Sequence, residues 1–422
     1  MPYFQTFMLT LIDFSLLTMG MKSIKDIYKI GKGPSSSHTM GPFKSVRHYV
    51  NNHPEAKKIL VTLYGSLAAT GKGHLTDWAC EDAFRDGTVA IVWKPKETLP
   101  MHPNGMKIGV IGADGEVYDE WTYYSIGGGD IVCIEKPLES EDEGEVYELT
   151  TMKEILDWCN ANGKTFWEYV EEREGRNNGL WDHLEKVWKV MREAVERGID
   201  QEGSLPGPLN LRRKASSYFI RAEGYSDVLR TRGLIFSYAL AVSEENASGG
   251  VVVTAPTCGS CGVLPGVLYH LNTSREFLRI RVLRALATAG LFGNVVKTNA
   301  SIAGAEVGCQ GEIGVACAMA AAAACQLFGG TPAQIEYAAE MGLEHHLGLT
   351  CDPVGGLVQI PCIERNAYAA ARAMDAGIYA LYTDGRHRVS FDQVVKVMLE
   401  TGNDLPSVYK ETSEGGLAKH LD

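Results

Sequence analysis

Three cysteines in the C-terminal part of the chain have the surroundings of metal ligands. Cys309 stands in Gly-Cys-Gln-Gly-Glu, Cys351 in Thr-Cys-Asp-Pro and Cys362 in Pro-Cys-Ile-Glu-Arg-Asn. A structural thiol prefers apolar neighbours, whereas glycine, proline and charge flank these, so each is expected in a polar turn outside the core. Three thiolates hold a metal or cluster while leaving one coordination position open to a substrate. Their spacing, 42 and then 11 positions, fits no zinc finger and no ferredoxin run. Three unrelated buried cysteines is therefore the competing reading. Asp352, Glu364, Arg365 and Asn366 lie beside two of them and favour the metal, because charge beside thiols is expected where a substrate meets one.

The N-terminal part offers a second set of reactive groups. Gly33-Pro-Ser35-Ser36-Ser37-His38-Thr39 places four hydroxyls beside a histidine, just ahead of a helical pattern. Backbone N–H groups and hydroxyls at such a helix start can grip a carboxylate or phosphate; the competing reading is a solvated serine-rich loop. Gly65 to His74 resembles a phosphate loop but has five residues between its glycines instead of four. Gly73 also stands where Ser or Thr should hold magnesium, so nucleotide binding is rejected. His74 stays a candidate because it follows a strand and a glycine-rich turn, where side chains reach a cleft. Cys258-Gly-Ser-Cys261 lacks the βαβ setting of a redox dithiol. His345 and His346, adjacent on a helix, point about 100° apart and cannot share one metal. Cys317 and Cys325 read as core.

These groups need elements to hold them. The 422 residues allow two or three domains, and 45% hydrophobic with 22% charged content is that of a soluble globular chain. A net charge of −12 argues against nucleic-acid or anionic-membrane partners. Ten cysteines are too few for a disulfide scaffold, so reduced thiols in a cytoplasm are expected. Residues 1–20 are apolar but too short and broken to span a bilayer. They read as a disordered extension ahead of a more natural start at Met21.

The fold class read from these patterns is α+β: an N-terminal α+β domain over 21–150, then a mostly helical domain over 151–422. Ile59–Tyr64 and Thr88–Trp93 read as strands, 107–112 and 116–124 as a hairpin around Ala-Asp-Gly, and 44–51 as a helix. Thr151-x-x-Glu154, Thr165-x-x-Glu168, Thr331-Pro-x-Gln334 and Ser390-x-x-Gln393 predict helix starts, with stops at Gly163 and Gly402. Gly314–Phe328, with seven alanines, predicts a tightly packed buried helix. The domain boundary is placed at 135–150, in the acidic stretch.

Together these segments resemble the iron–sulfur-dependent L-serine dehydratases (L-serine ammonia-lyases) in their single-chain form. The matching stretches are Gly33–Thr39, Tyr64–His74, His102-Pro-Asn-Gly-Met106, Tyr124–Gly129, Glu244–Gly250, Ala255-Pro-Thr257, Gly308–Glu312, Leu349–Pro353 and Pro361–Ala367. The resemblance runs from about residue 22 to the end. It implies a [4Fe–4S] cluster on Cys309, Cys351 and Cys362, with the serine–histidine loop reaching the same site. It also implies L-serine as the small-molecule substrate and a homodimer or higher homo-oligomer. His38 and His74 are then the acid–base candidates, and Ser35, Ser36, Ser37 and Thr39, with Arg365 and Asn366, the substrate-binding ones. Family members with a tail cysteine can cap the open iron; here Gly415–Ala418 matches that tail, but no cysteine follows Cys362 and His420 is a weak substitute. Pyridoxal phosphate would need a Schiff-base lysine with a phosphate loop, and Lys214 lacks one. A cysteine desulfidase on the same architecture, or a non-catalytic amino-acid sensor, is the alternative. Electron transfer would want a fully ligated cluster with closely spaced cysteines.

Overall fold

The structure is a computed structural model that describes residues 20–138 and 144–420. Of the expected disordered extension only Gly20 is among them, and residues 139–143 of the acidic run also lie outside the described residues. The chain is α+β, with a sheet-bearing N-terminal part and a helical remainder.

The N-terminal part contains β1 (Ile30–Lys32), α1 (Gly41–Asn52), β2 (Lys58–Tyr64), α2 (Gly65–Ala69), α3 (Thr76–Ala83), β3 (Thr88–Lys94), β4 (Gly105–Ile111), β5 (Val117–Gly127) and β6 (Asp130–Cys133). Five strands form one sheet in the order β3-β2-β4-β5-β6. β2 and β3 run parallel, joined through α2 and α3, and the other pairs are antiparallel. The two-residue period of β2 turns Ile59, Val61 and Leu63 to one face, where Val61 opposes Ile108 and Leu63 opposes Met106. Val46 and Tyr49 of α1 close that core. The hairpin expected at Ala-Asp-Gly is β4–β5.

The remainder holds α4 (Met152–Asn162), α5 (Phe166–Glu174), α6 (Leu180–Asp200), α7 (Ala215–Glu223), α8 (Asp227–Ala247), β7 (Val251–Val253), α9 (Val263–Arg275), α10 (Arg279–Asn299), α11 (Gly304–Val307), α12 (Val315–Leu327), α13 (Pro332–Glu344), α14 (Cys362–Leu381) and α15 (Phe391–Asp404). All four expected capping pairs form: Glu154, Glu168, Gln334 and Gln393 each accept a hydrogen bond from the backbone N–H of the cap residue three positions earlier. Gly163 ends α4 in the left-handed region. Gly402 is a correction, because α15 continues through it to Asp404. A Cβ at Gly402 would lie 2.7 Å from Val307, so the glycine lets α15 approach α11.

α12 is apolar all round and lies at the centre of the body, packed by α9, α10, α13 and α14. Its alanines permit close approach: Gly342 of α13 faces the Ala318 backbone with no room between them. Connections among the described residues tie the sheet part to this body. Ile24, Ile27 and Tyr28 bury themselves in the helical core beside Gly290 and Gly293 of α10. β1 pairs antiparallel with β7. The C-terminal segment returns to bridge Cys351 at Lys410. Among the described residues, no helix is long and apolar enough to cross a membrane.

Candidate active site

The three cysteines converge on one cavity, lined also by Ser35, His74, Glu312 and Glu411. Gly308 makes the first turn possible: its φ is +75°, and a Cβ there would meet the Leu349 carbonyl oxygen at 2.7 Å. Cys309 follows it and its carbonyl accepts from Ile313 N–H, opening the turn into α12. Cys351 is clamped by the tail, donating its N–H to Tyr409 O at 2.7 Å and accepting from Glu411 N–H at 2.8 Å. Cys362 opens α14, where the free N–H groups of a first turn favour a thiolate. The expectation that these cysteines lie outside the core is corrected. They are only 2%, 3% and 8% exposed, because their glycine and proline turns fold inward against the body rather than out to water.

The donor set suits a soft metal centre. Cys309 Sγ, Cys351 Sγ and a Glu312 oxygen lie within 4.8 Å of one another. Cys351 donates to Cys309, which lowers the Cys309 thiol against the effect of burial. The same bond, with burial, raises Cys351, while burial and then Cys309 raise Cys362. Burial works to lower Arg365, but Cys309, Cys362, Cys351 and Asp352 outweigh it and hold the guanidinium protonated. Three sulfurs with one fixed cation beside them form a site whose remaining thiol protons a metal would displace.

On the opposite wall, Ser35 caps the turn Ser36–Met40 by accepting from His38 N–H at 3.1 Å. His38 and His74 stack with ring centroids 4.6 Å apart. His38 is held at both nitrogens, by Ser37 Oγ at 2.9 Å and Ser66 Oγ at 3.1 Å. Thr39 Oγ1 donates to the His74 carbonyl at 2.7 Å. Of the serine–threonine segment only Ser35 is among the residues lining the cavity. Ser37 and Thr39 position the histidines, and Ser36 is buried in the same turn. Burial lowers His38 to about 3 and, with His38 beside it, holds His74 well below its usual value, so both rings are neutral.

Arg365 donates to the Thr350 carbonyl and to Asp352. Asn366 does not reach the cavity: its amide donates to Gly259 O and Cys362 O and accepts from Gly262 N–H, so it fixes the turn that carries Gly259. Cys258 and Cys261 are buried and unbridged, and Cys317 and Cys325 are core. Lys214 pairs with Glu364 away from the cavity. His420 is exposed.

Two carboxylates were missed from the sequence. Glu312 accepts from Thr257 Oγ1 at 2.7 Å, and burial raises it to about 6 despite Thr257 and Arg365. Glu411 places Oε1 3.4 Å from His38 Nδ1 and 3.6 Å from His74 Nε2. Burial, then Glu312 and Cys309, push it well above the usual carboxylate range. Glu312 stood inside the quoted Cys-Gln-Gly-Glu segment. For Glu411 the only signal was its place just ahead of the glycine-rich tail.

Sulfur donors, neutral imidazoles and carboxylates gather between a sheet domain and a helical body, a set able to do acid–base chemistry beside a soft metal. Residues 23–85 and 81–136 match the family described as serine dehydratase beta chain, and residues 139–418 match serine dehydratase alpha chain. The L-serine dehydratase of Haemophilus influenzae is 41% identical, over 94% of this chain and 99% of its own. L-serine dehydratase TdcG of Escherichia coli is 42% identical and that of Streptomyces coelicolor 40%, with the same coverage. The chain belongs to the L-serine dehydratase family, with the alpha and beta parts fused.

Proposed function

We propose that the protein is an L-serine ammonia-lyase, converting L-serine to pyruvate and ammonia with a [4Fe–4S] cluster held by Cys309, Cys351 and Cys362. The observation that carries this is the convergence of those three thiols, 42 and 11 positions apart in sequence, on the cavity that His74 and Ser35 line from the other side. A bound cluster with one open iron supplies the Lewis acidity that helps hydroxide, a poor leaving group, depart.

The chain's own residues do the rest. His74 faces the cavity with a neutral ring whose buried Nδ1 has no partner, and in the tautomer with its hydrogen on Nε2 that nitrogen takes the α-proton. His38, held at both nitrogens behind it, keeps that ring in place. Ser35 and the turn it caps receive the substrate carboxylate. Arg365 balances the thiolates rather than the substrate. After loss of water, aminoacrylate tautomerises and hydrolyses to pyruvate and ammonia.

The test is anaerobic purification with iron and sulfide quantitation, followed by pyruvate assays on serine, threonine and cysteine. Cys351→Ala is expected to lose both the broad visible absorbance and pyruvate formation. A colourless wild type with full serine activity would sink the cluster, and preference for cysteine would move the reading to desulfidation.

A further inference from the structure

An amino-acid substrate brings an ammonium group into the site along with its carboxylate, and a buried cation needs acceptors around it that are not already taken. Glu411, beside the two histidines, offers such an acceptor. Glu411 Oε2 is buried and makes no hydrogen bond, and His74 Nδ1 is in the same state. The tautomer of His38 follows from Ser66. That hydroxyl has one hydrogen, which goes to the Glu411 carbonyl oxygen at 2.8 Å, so it accepts from His38 Nε2 at 3.1 Å. His38 therefore carries its hydrogen on Nε2, and its Nδ1 accepts from Ser37 Oγ with the Glu411 carboxyl group 3.4 Å away. No Lys or Arg among the described residues forms an ion pair with Glu411. Glu312, the other acid of the cavity, is taken by Thr257 and lies 4.0 Å from Cys309 Sγ.

We propose that Glu411 Oε2 receives the substrate's α-ammonium group and so selects amino acids over the corresponding hydroxy acids. The proposal rests on the serine dehydratase reading and adds a specificity residue to it. The tail delivers this group: Cys351 holds Glu411 by its backbone, and Leu417 N–H donates to Asp352 Oδ2 beyond it.

L-alanine and L-lactate differ only in amino against hydroxyl, and neither can lose a β-hydroxyl, so they serve as competitive probes on the cluster-loaded enzyme. The wild type is expected to be inhibited by L-alanine roughly tenfold or more tightly than by L-lactate, the scale of a charge-assisted bond. Glu411→Gln, with iron and sulfide content unchanged, is expected to abolish that preference, raise the KM for L-serine roughly 10–100-fold and leave the Ki of L-lactate in place. Equal inhibition of the wild type by both probes overturns the proposal without any variant. So does a Glu411→Gln enzyme that keeps the preference or weakens toward both probes alike. A cluster-loaded wild type that makes no pyruvate from serine overturns instead the dehydratase reading beneath it.

Discussion

Burial makes His38 a neutral group at the cost of acid stability. The folded chain holds it at about 3, whereas an unfolded histidine titrates near 6.5. Between those values the unfolded chain binds a proton that the folded chain refuses, so stability falls as pH drops below about 6.5. The slope approaches ~1.4 kcal/mol per pH unit for one such group. The groups facing His38 are Ser37, Ser66, His74, Glu411 and His102. Glu411 works in the opposite sense, since its raised value makes the folded chain keep a proton that the unfolded chain releases above about 4.5. Comparing variants separates the two. The thermal midpoint of the wild type is expected to fall more steeply from pH 7 to 5 than that of His38→Gln, and parallel curves would contradict the burial argument. At this scale the sequence was readable wherever a residue sat in a local pattern, as His38 and Cys309 do. Glu411 was not, because its meaning comes from chain closure that brings it 3.4 Å from a residue more than 300 positions away.

Elements were more legible than sites because their signals are local. Each of the four capping pairs specifies a helix start within four residues, and each formed. The run Ile59–Tyr64 read as a strand from its residue types, and β2 spans Lys58–Tyr64. Gly402 misled because a glycine can either end a helix or let another element close in, and only the fold places Val307 against it. The same ambiguity applies to Gly342, which sits inside α13 with a Cβ position only 3.0 Å from Ala318 backbone atoms of α12. Its neighbour is backbone, so no rotamer change relieves the contact. Gly342→Val is expected to cost roughly 1–3 kcal/mol through overpacking, read as a lower urea midpoint at unchanged m-value. A midpoint equal to the wild type would show that α12 and α13 separate easily.

At the scale of the whole molecule, the segment Met21–Tyr28 joins the sheet part to the helical body. A boundary at 135–150 assigns Met21–Tyr28 to the sheet part, yet Ile24, Ile27 and Tyr28 are fully buried in the helical core, against α10. Hydrogen bonds repeat the pattern: Ser23 Oγ and Ile24 N–H donate to Glu174 of α5, and Tyr28 Oη donates to the Leu286 carbonyl. The apolar pattern of a short segment says that it is buried but not against what, so this attachment was hidden from the sequence. It also matters for function, because the strand that follows, β1, pairs with β7 and leads into the turn capped by Ser35. Ile27→Ala should therefore act on the helical body although the residue precedes every strand of the five-stranded sheet. Removing a buried isoleucine side chain costs about 2–5 kcal/mol. Hydrogen exchange is expected to quicken in α10 and leave β2 and β4 protected. Exchange that quickens in β2 and β4 while α10 keeps its protection would return the segment to the sheet domain.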